Sequence, residues 1–420
     1  MKALHALTLV CVVLLASLRV VTAQTSSADR RDSPVSSAPE QPQRPKGKVI
    51  SVPAHRAEGV HENALAPLAN TNPIPTWTYN ITGYDGNPYT GTIMGMSPYN
   101  HGKTTTTIPT IIVPLVITIV DGSGTFVYDP TAPDNTCAQG HTAVETISNS
   151  PIFVNSAWTM NNVNVGTTQY EDANVRAEFW SLVGGTPYHL NLQVATLPAQ
   201  PVAFGTGGIG AGQNYSPAQA NACEEFGVVQ TNDMQTAVDN LITGPLAGQV
   251  NVGTMVLFLT TNVVMSDGDT NLMGPNCCTL GFHTGMNIGA NEIVFGPFAV
   301  DMAGAIEKGY SGTISHEVGE AIHDETGNNP TPPWGAVGQV GAGTCQANFE
   351  VGDPLSDNNS GFPTKDWNVG PFPNGLNYTL QELAFYSWFY GGPTLAEGSN
   401  YSNNGTFTGF AKACPPGGSN

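Results

Sequence analysis

His316-Glu317-Val318-Gly319-Glu320 is the stretch of this chain whose side chains could do chemistry together. Four positions separate His316 from Glu320. On a helix that spacing puts both side chains on one face, near enough to grip a single cation. Imidazole nitrogen and carboxylate oxygen are ordinary zinc ligands. Glu317, beside His316, would reach a water on such an ion and take its proton as general base. The pattern is a variant of His-Glu-x-x-His with Glu320 in the place of the second histidine. The expected chemistry is Zn²⁺-dependent hydrolysis of an amide in a peptide or protein substrate.

Two donors on a helix are not enough, and a third must come from elsewhere. Asn348-Phe349-Glu350-Val351-Gly352-Asp353 offers two acids, Glu350 as first choice and Asp353 as second. His323, seven residues beyond His316 on the same helical face, is a further candidate. Asp324 would orient an imidazole, as carboxylates behind metal-bound histidines do. His283, in Cys277-Cys278-Thr279-Leu280-Gly281-Phe282-His283, could donate to a substrate oxyanion or act as a fourth ligand. The bland alternative for His283 is a histidine satisfied structurally beside a disulfide.

Competing readings exist for the helix itself. It could be an ordinary helix with a solvated acidic face, although Ile314, Val318, Ala321 and Ile322 supply an apolar stripe beside the His and Glu. Ser311-Gly312-Thr313 resembles part of a serine-peptidase pattern but lacks its continuation. A different class is a non-catalytic extracellular or cell-wall protein in which the same residues hold a structural ion or none. Trp388-Phe389-Tyr390 would then suggest glycan stacking, though core packing on a helix is the preferred reading.

The elements that must position these residues follow from patterning. Thr313 to Asp324 reads as the His-Glu helix. Before it, Thr254 to Val264 reads as one continuous buried strand, Leu280 to His283 as a short one and Glu292 to Phe298 as a third. Thr104 to Val120 is β-branched and apolar despite Pro109 and Pro114, and Thr125 to Tyr128 returns from it as a hairpin. Helices are expected over Thr142 to Asn149, Gln169 to Leu182, Thr231 to Ile242 and Leu380 to Phe389. Strands running into a His-Glu helix predict an α+β, zincin-like fold with a mixed twisted sheet. In that layout the last strand before the helix lies at the sheet edge and takes a substrate by strand addition.

Charge and targeting signals narrow the class. Beyond Arg56 there are only five Lys or Arg against 29 Asp and Glu, a balance that repels nucleic acid. Residues 1–23 read as a secretory signal: Lys2, the apolar Leu7 to Leu18, then Val21-Thr22-Ala23. The mature chain would be secreted and carry no membrane span. Residues 24–75, rich in Ser and Pro, read as a disordered linker or propeptide. Residues 76–420 read as a single globular domain, or two subdomains flanking a cleft. Six cysteines remain after the signal, suiting a disulfide-stapled exported fold. Adjacent Cys277 and Cys278 are expected to bond to different partners, because a bridge between neighbours is hard to close.

Several segments together resemble a group of secreted soil-bacterial proteins related to the plant phosphate-induced, EXORDIUM-like proteins. They are Thr168-Gln169-Tyr170 with Arg176 to Trp180, Cys277 to His283, Ser315 to Ala321, Glu350 to Asp353, and Leu380 to Leu383 with Ser387 to Tyr390. The resemblance spans most of residues 105 to 390. It implies a peptidase-like architecture more than an activity, and it implies that the Glu350/Asp353 segment belongs to the site. Where the group shows Thr-Asp-Pro after this motif, the chain has His323-Asp324-Glu325.

Overall fold

Alternating burial along β1 (Thr105–Asp121) sets up the architecture: Ile108 and Ile112 enter one apolar core, and Ile111, Val113 and Leu115 enter another on the opposite face. The computed structural model of the chain describes residues 48–49, 55, 72–100, 104–288, 291–307, 309–335, 346–356 and 367–411, which belong to a unit spanning 43–420. Residues 1–23, the expected signal, lie outside the described residues, as do Cys345 and Cys414.

The principal sheet has 12 strands and mixes parallel with antiparallel pairing. After β1 come β2 (Gly124–Tyr128), β3 (His189–Thr196), β4 (Gln200–Gly205), β5 (Gly212–Tyr215), β6 (Phe226–Gln230), β7 (Met255–Thr261), β8 (Val263–Ser266), β9 (Cys277–Gly281), β10 (Thr284–Ile288) and β11 (Asn291–Val300). Their main order is β5-β6-β8-β9-β11-β7-β1-β2, with β3 and β4 pairing β1 and β10 pairing β11. The twelfth strand, Lys48–Val49, pairs parallel with β9. His55 donates its amide to Gly285, so parts of the expected linker are paired with the sheet.

The two prolines of β1 sit where a missing N–H is tolerated. Pro114 falls between the end of the β3 pairing at Ile112 and the start of the β4 pairing at Leu115. Pro109 lies just before pairing to β7 begins at Thr110.

Helices cover both faces. α1 (Tyr170–Glu178) and α3 (Gly312–His323) lie in the first core, and α2 (Thr231–Thr243) lies in the second. In α2 the apolar stripe is Met234, Ala237, Val238, Leu241 and Ile242, at helical spacing. Each large apolar side chain sealed this way contributes about 1.5–3 kcal/mol. The whole of α3 is buried. A solvated acidic face on the His-Glu helix is thereby ruled out.

Several sequence expectations differ from the fold. The Thr254 to Val264 strand breaks into β7 and β8 at Asn262, whose φ of 52° is left-handed. Asn262 uses the break: its amide donates to Val300, and its side-chain oxygen accepts from Ala303. The Gln169 to Leu182 helix is interrupted at Phe179. The last strand before α3, β11, is interior rather than an edge, flanked by β7 on one side and by β9 and β10 on the other. Its backbone groups are already paired, so substrate addition there is excluded. The Leu380 to Phe389 helix contracts to Tyr386–Tyr390, because the amides a longer helix would use internally go elsewhere. Gln381 donates to the Ser315 hydroxyl, Leu383 to Asn403, Ala384 to the Val351 carbonyl and Tyr386 to Glu178.

Cys277 and Cys278 also depart from expectation, being bonded to each other. Their peptide bond is cis, and the Cα atoms lie 3.0 Å apart. Cys137 bonds Cys223, stapling two loops 86 residues apart. That bridge is compatible with an extracellular location. Among the described residues no helix is long and apolar enough to cross a membrane.

Candidate metal centre

The site begins with how α3 is held. At its start Glu307 accepts from the Thr313 amide at 2.7 Å, placing a negative charge where the helix presents unpaired N–H groups. At its end Asp324 accepts from the amides of Asn328, Asn329 and Phe349. Asp324 therefore ties the segment carrying Glu350 and Asp353 to the helix, rather than gripping an imidazole with its carboxylate. Its backbone carbonyl does that instead, accepting from His283 Nε2 at 3.0 Å.

Two glycines allow the close approach. A Cβ on Gly352 would stand 2.5 Å from Nδ1 of His316, so only glycine lets the Glu350–Asp353 segment lie against that ring. A Cβ on Gly319 would stand 2.6 Å from Leu383 and 3.1 Å from Glu171 Oε2.

The result is two donor groups sharing one carboxylate. His316, Glu320 and Asp353 offer donor atoms all within 4.8 Å of one another, and so do His283, Glu320 and Glu350. In the first group, His316 Nε2 lies 3.0 Å from Glu320 Oε1 and 3.7 Å from Asp353 Oδ1. The short contact is not aligned as a hydrogen bond, and Nε2 has no hydrogen-bond partner. In the second, His283 Nδ1 lies 2.9 Å from Glu317 Oε2 and 3.7 Å from Glu320 Oε2, and Nε2 lies 3.7 Å from Glu350 Oε2.

Outside these groups, named contacts fix each ring and carboxylate. Gln381 Oε1 meets His316 Nδ1 at 2.9 Å, and Gln381 Nε2 donates to the Gly352 carbonyl at 2.6 Å. The second bond sets the amide's orientation, so its oxygen faces the ring, Nδ1 carries a proton and Nε2 is the nitrogen left to bind an ion. Glu320 Oε1 accepts from the amides of Gly352 and Asp353 at 3.0 and 3.1 Å. Gln346 donates to Asp353 Oδ2 at 2.7 Å, and Asn348 to Glu350 Oε1 at 2.9 Å.

Electrostatics make the cluster a trap for positive charge. Five carboxyls, Glu171, Glu317, Glu320, Glu350 and Asp353, surround His283 and His316, and all seven are buried. Among the described residues from 72 onward, Arg176 is the only Lys or Arg, and it donates to the carbonyls of Thr186 and Tyr188. Burial works against charging His316, yet Glu320 foremost, with Glu317 and Asp353, pushes its pKa up to about 10. Burial likewise opposes charging His283, but Glu350, Glu317 and Glu320 push it up to about 10. Burial and then Glu320 push Asp353 up to about 7. Burial also raises Glu350, Glu317 and Glu171. Despite the same burial, Glu320 is lowered, because His316 holds it ionised.

These residues fit a metal ion. His316 Nε2, Glu320 Oε2 and Glu317 Oε1 are buried without hydrogen-bond partners, which is costly unless something charged satisfies them. No protein-family model, curated protein or solved structure matches this chain, so the functional reading rests on these side chains.

Among the sequence candidates, His316, Glu317, Glu320, Glu350, Asp353 and His283 are brought together. The third donor beside His316 is Asp353, ahead of Glu350, because the Gly352 and Asp353 amides bind Glu320 and lay Asp353 next to it. His323 is not part of the cluster: Nδ1 bonds the Gly319 carbonyl at 2.7 Å, and Nε2 meets Glu178 at 3.0 Å. Glu171 and the role of Gln381 escaped the sequence reading. Glu171 lies on α1, which is buried on every side. Gln381 could have been found from the resemblance, whose Leu380-Gln381-Glu382-Leu383 segment contains it.

Proposed function

We propose that the chain is a zinc-dependent hydrolase of the metallopeptidase type, with a zincin-like active-site helix and a peptide or protein as substrate. The carrying observation is the partnerless His316 Nε2 set against Glu320 and Asp353. His316, Glu320 and Asp353 would hold the ion. When bound, it would supply Lewis-acid polarisation of a carbonyl and a lowered pKa for water. Glu317 takes the proton from the attacking water on Oε1, the oxygen left without a partner, and returns it to the leaving amine. His283 holds the other oxygen at 2.9 Å and so fixes the carboxylate's direction. Gln381 keeps His316 Nε2 turned towards Glu320 and Asp353. The resemblance to secreted peptidase-like proteins and the signal-like first 23 residues support export.

One observation favours a second reading: the donor side chains are almost wholly shielded from solvent, as in closed structural metal sites. A non-catalytic extracellular protein with a structural ion would look the same. Glu317→Gln separates the two. The hydrolase should keep its metal, by elemental analysis, while turnover of a casein-type substrate drops about 100- to 10,000-fold. A wild-type protein that holds zinc yet cleaves no protein substrate would leave only the structural reading.

A further inference from the structure

We propose that the cluster holds two cations bridged by Glu320, the second seated on His283, Glu320 and Glu350. The inference rests on the single-ion reading above for the first ion and adds a site to it.

Glu320 divides its two oxygens between two directions. Oε1 faces His316 and accepts from the amides of Gly352 and Asp353. Oε2 faces His283 Nδ1 at 3.7 Å and has no hydrogen-bond partner, although it is fully buried. That separation is too long for a hydrogen bond. It is close to the roughly 3–3.6 Å that separates two ligands of one ion when each lies about 2.0–2.2 Å from it. His283 is oriented to serve. Nε2 donates to the Asp324 carbonyl, and Nδ1 points at the carboxylates, 2.9 Å from Glu317 Oε2, so Nδ1 is the nitrogen that would exchange its proton for the second ion. Glu350 completes the group, its donor atom within 4.8 Å of the other two.

Charge balance favours two ions over one. Ion binding would displace the protons these groups hold without it, after which Glu317, Glu320, Glu350 and Asp353 would carry four negative charges beside two neutral imidazoles. One dication leaves half of that charge uncompensated in a buried place, and two match it. A carboxylate bridging paired cations is the arrangement of two-metal hydrolytic sites, where the ions lie about 3.5–4 Å apart. Glu317 Oε1 stays free for proton transfer in either loading state.

The test is metal stoichiometry on the full chain as secreted, saturated with Zn²⁺, freed of excess by gel filtration and measured by elemental analysis. Wild type should hold two ions per chain. His283→Gln and Glu350→Gln should each hold one, as should Asp353→Asn from the other side, and Glu320→Gln should hold fewer than one. Because His283→Gln could unfold the chain, Glu350→Gln carries the test independently, with circular dichroism confirming its fold. Loading with Mn²⁺ adds a second readout: an exchange-coupled spin-resonance spectrum in wild type that becomes that of an isolated ion in Glu350→Gln. One ion in wild type, unchanged by Glu350→Gln, overturns the second site and leaves the first. No ion in wild type overturns both.

Discussion

His316 and His323 sit seven residues apart on α3, both fully buried, and do opposite things with their ring nitrogens. His316 gives Nδ1 to Gln381 and leaves Nε2 bare against Glu320 and Asp353. His323 spends both nitrogens, one on the Gly319 carbonyl and one on Glu178 of α1. Burial opposes its charge, but Glu178 raises its pKa, and both ring nitrogens face acceptors. Residue type, burial and helical register do not distinguish them. What differs is whether a ring nitrogen remains unpartnered after the neighbours are served.

The largest expected effect breaks the pair apart. His316→Gln should lower zinc affinity by roughly 100-fold or more, exceeding the about 10–100-fold lost when a residue that only holds a ligand is removed. His323→Gln should leave affinity unchanged and lower the melting temperature, since buried Glu178 then loses its ring partner. Competition with a fluorescent zinc chelator measures the first, and calorimetry the second. Equal losses of zinc from both variants would erase the distinction between the two rings.

A smaller effect sharpens the same contrast through Gln381. Gln381→Ala removes no donor but frees the His316 ring to turn. Zinc affinity should drop about 10–100-fold, with Gln381→Asn recovering little because its amide falls short of the ring. If Gln381→Ala binds zinc as wild type does, the ring is held by packing alone.

The sequence made one half of this contrast legible and hid the other. His316, Glu317 and Glu320 share a short segment, and i, i+4 spacing is a local fact that a helix converts directly into proximity. His323 obeys the same rule, and nothing local shows that Glu178, 145 residues earlier, has claimed it. His283 shows the converse. It looked structural beside the cysteines, yet β9 and the turn after it deliver it to Glu317. Asp353 and Glu350 lie three residues apart, and their division between His316 and His283 depends on which amides meet Glu320. Fold legibility follows the same line. Thr313 to Asp324, Thr231 to Ile242 and the hairpin after β1 were readable from period and turn residues. The placement of β11 inside the sheet, the break at Asn262 and the loss of helix over 381–385 were not, because each is set by distant hydrogen-bond partners.

The smallest effect lies just beyond the His323 end, where a half-buried acid has no imidazole to hold its charge. Burial, followed by Glu292 and Asp324, pushes Glu325 up to about 7, and Thr92 is a weak donor to it at 3.5 Å. The folded chain therefore keeps this proton where the unfolded chain has released it. Below the ordinary glutamate pKa both states are protonated, and Glu325 makes no pH-dependent contribution. As pH rises through the interval up to about 7, ionisation favours the unfolded chain and stability falls; above that the loss is constant. A tenfold difference in proton affinity between the two states is worth about 1.4 kcal/mol, so the full loss is on the order of 3 kcal/mol. Glu325→Gln keeps an acceptor for Thr92 and removes the titration. Its melting temperature should match wild type near pH 4 and exceed it above pH 7, the gap opening between them. Two curves that run parallel from pH 4 to pH 8 would mean that Glu325 ionises as freely in the folded chain as in water. Partial burial without an imidazole partner would then not be the feature that separates this end of α3 from the His316 cluster.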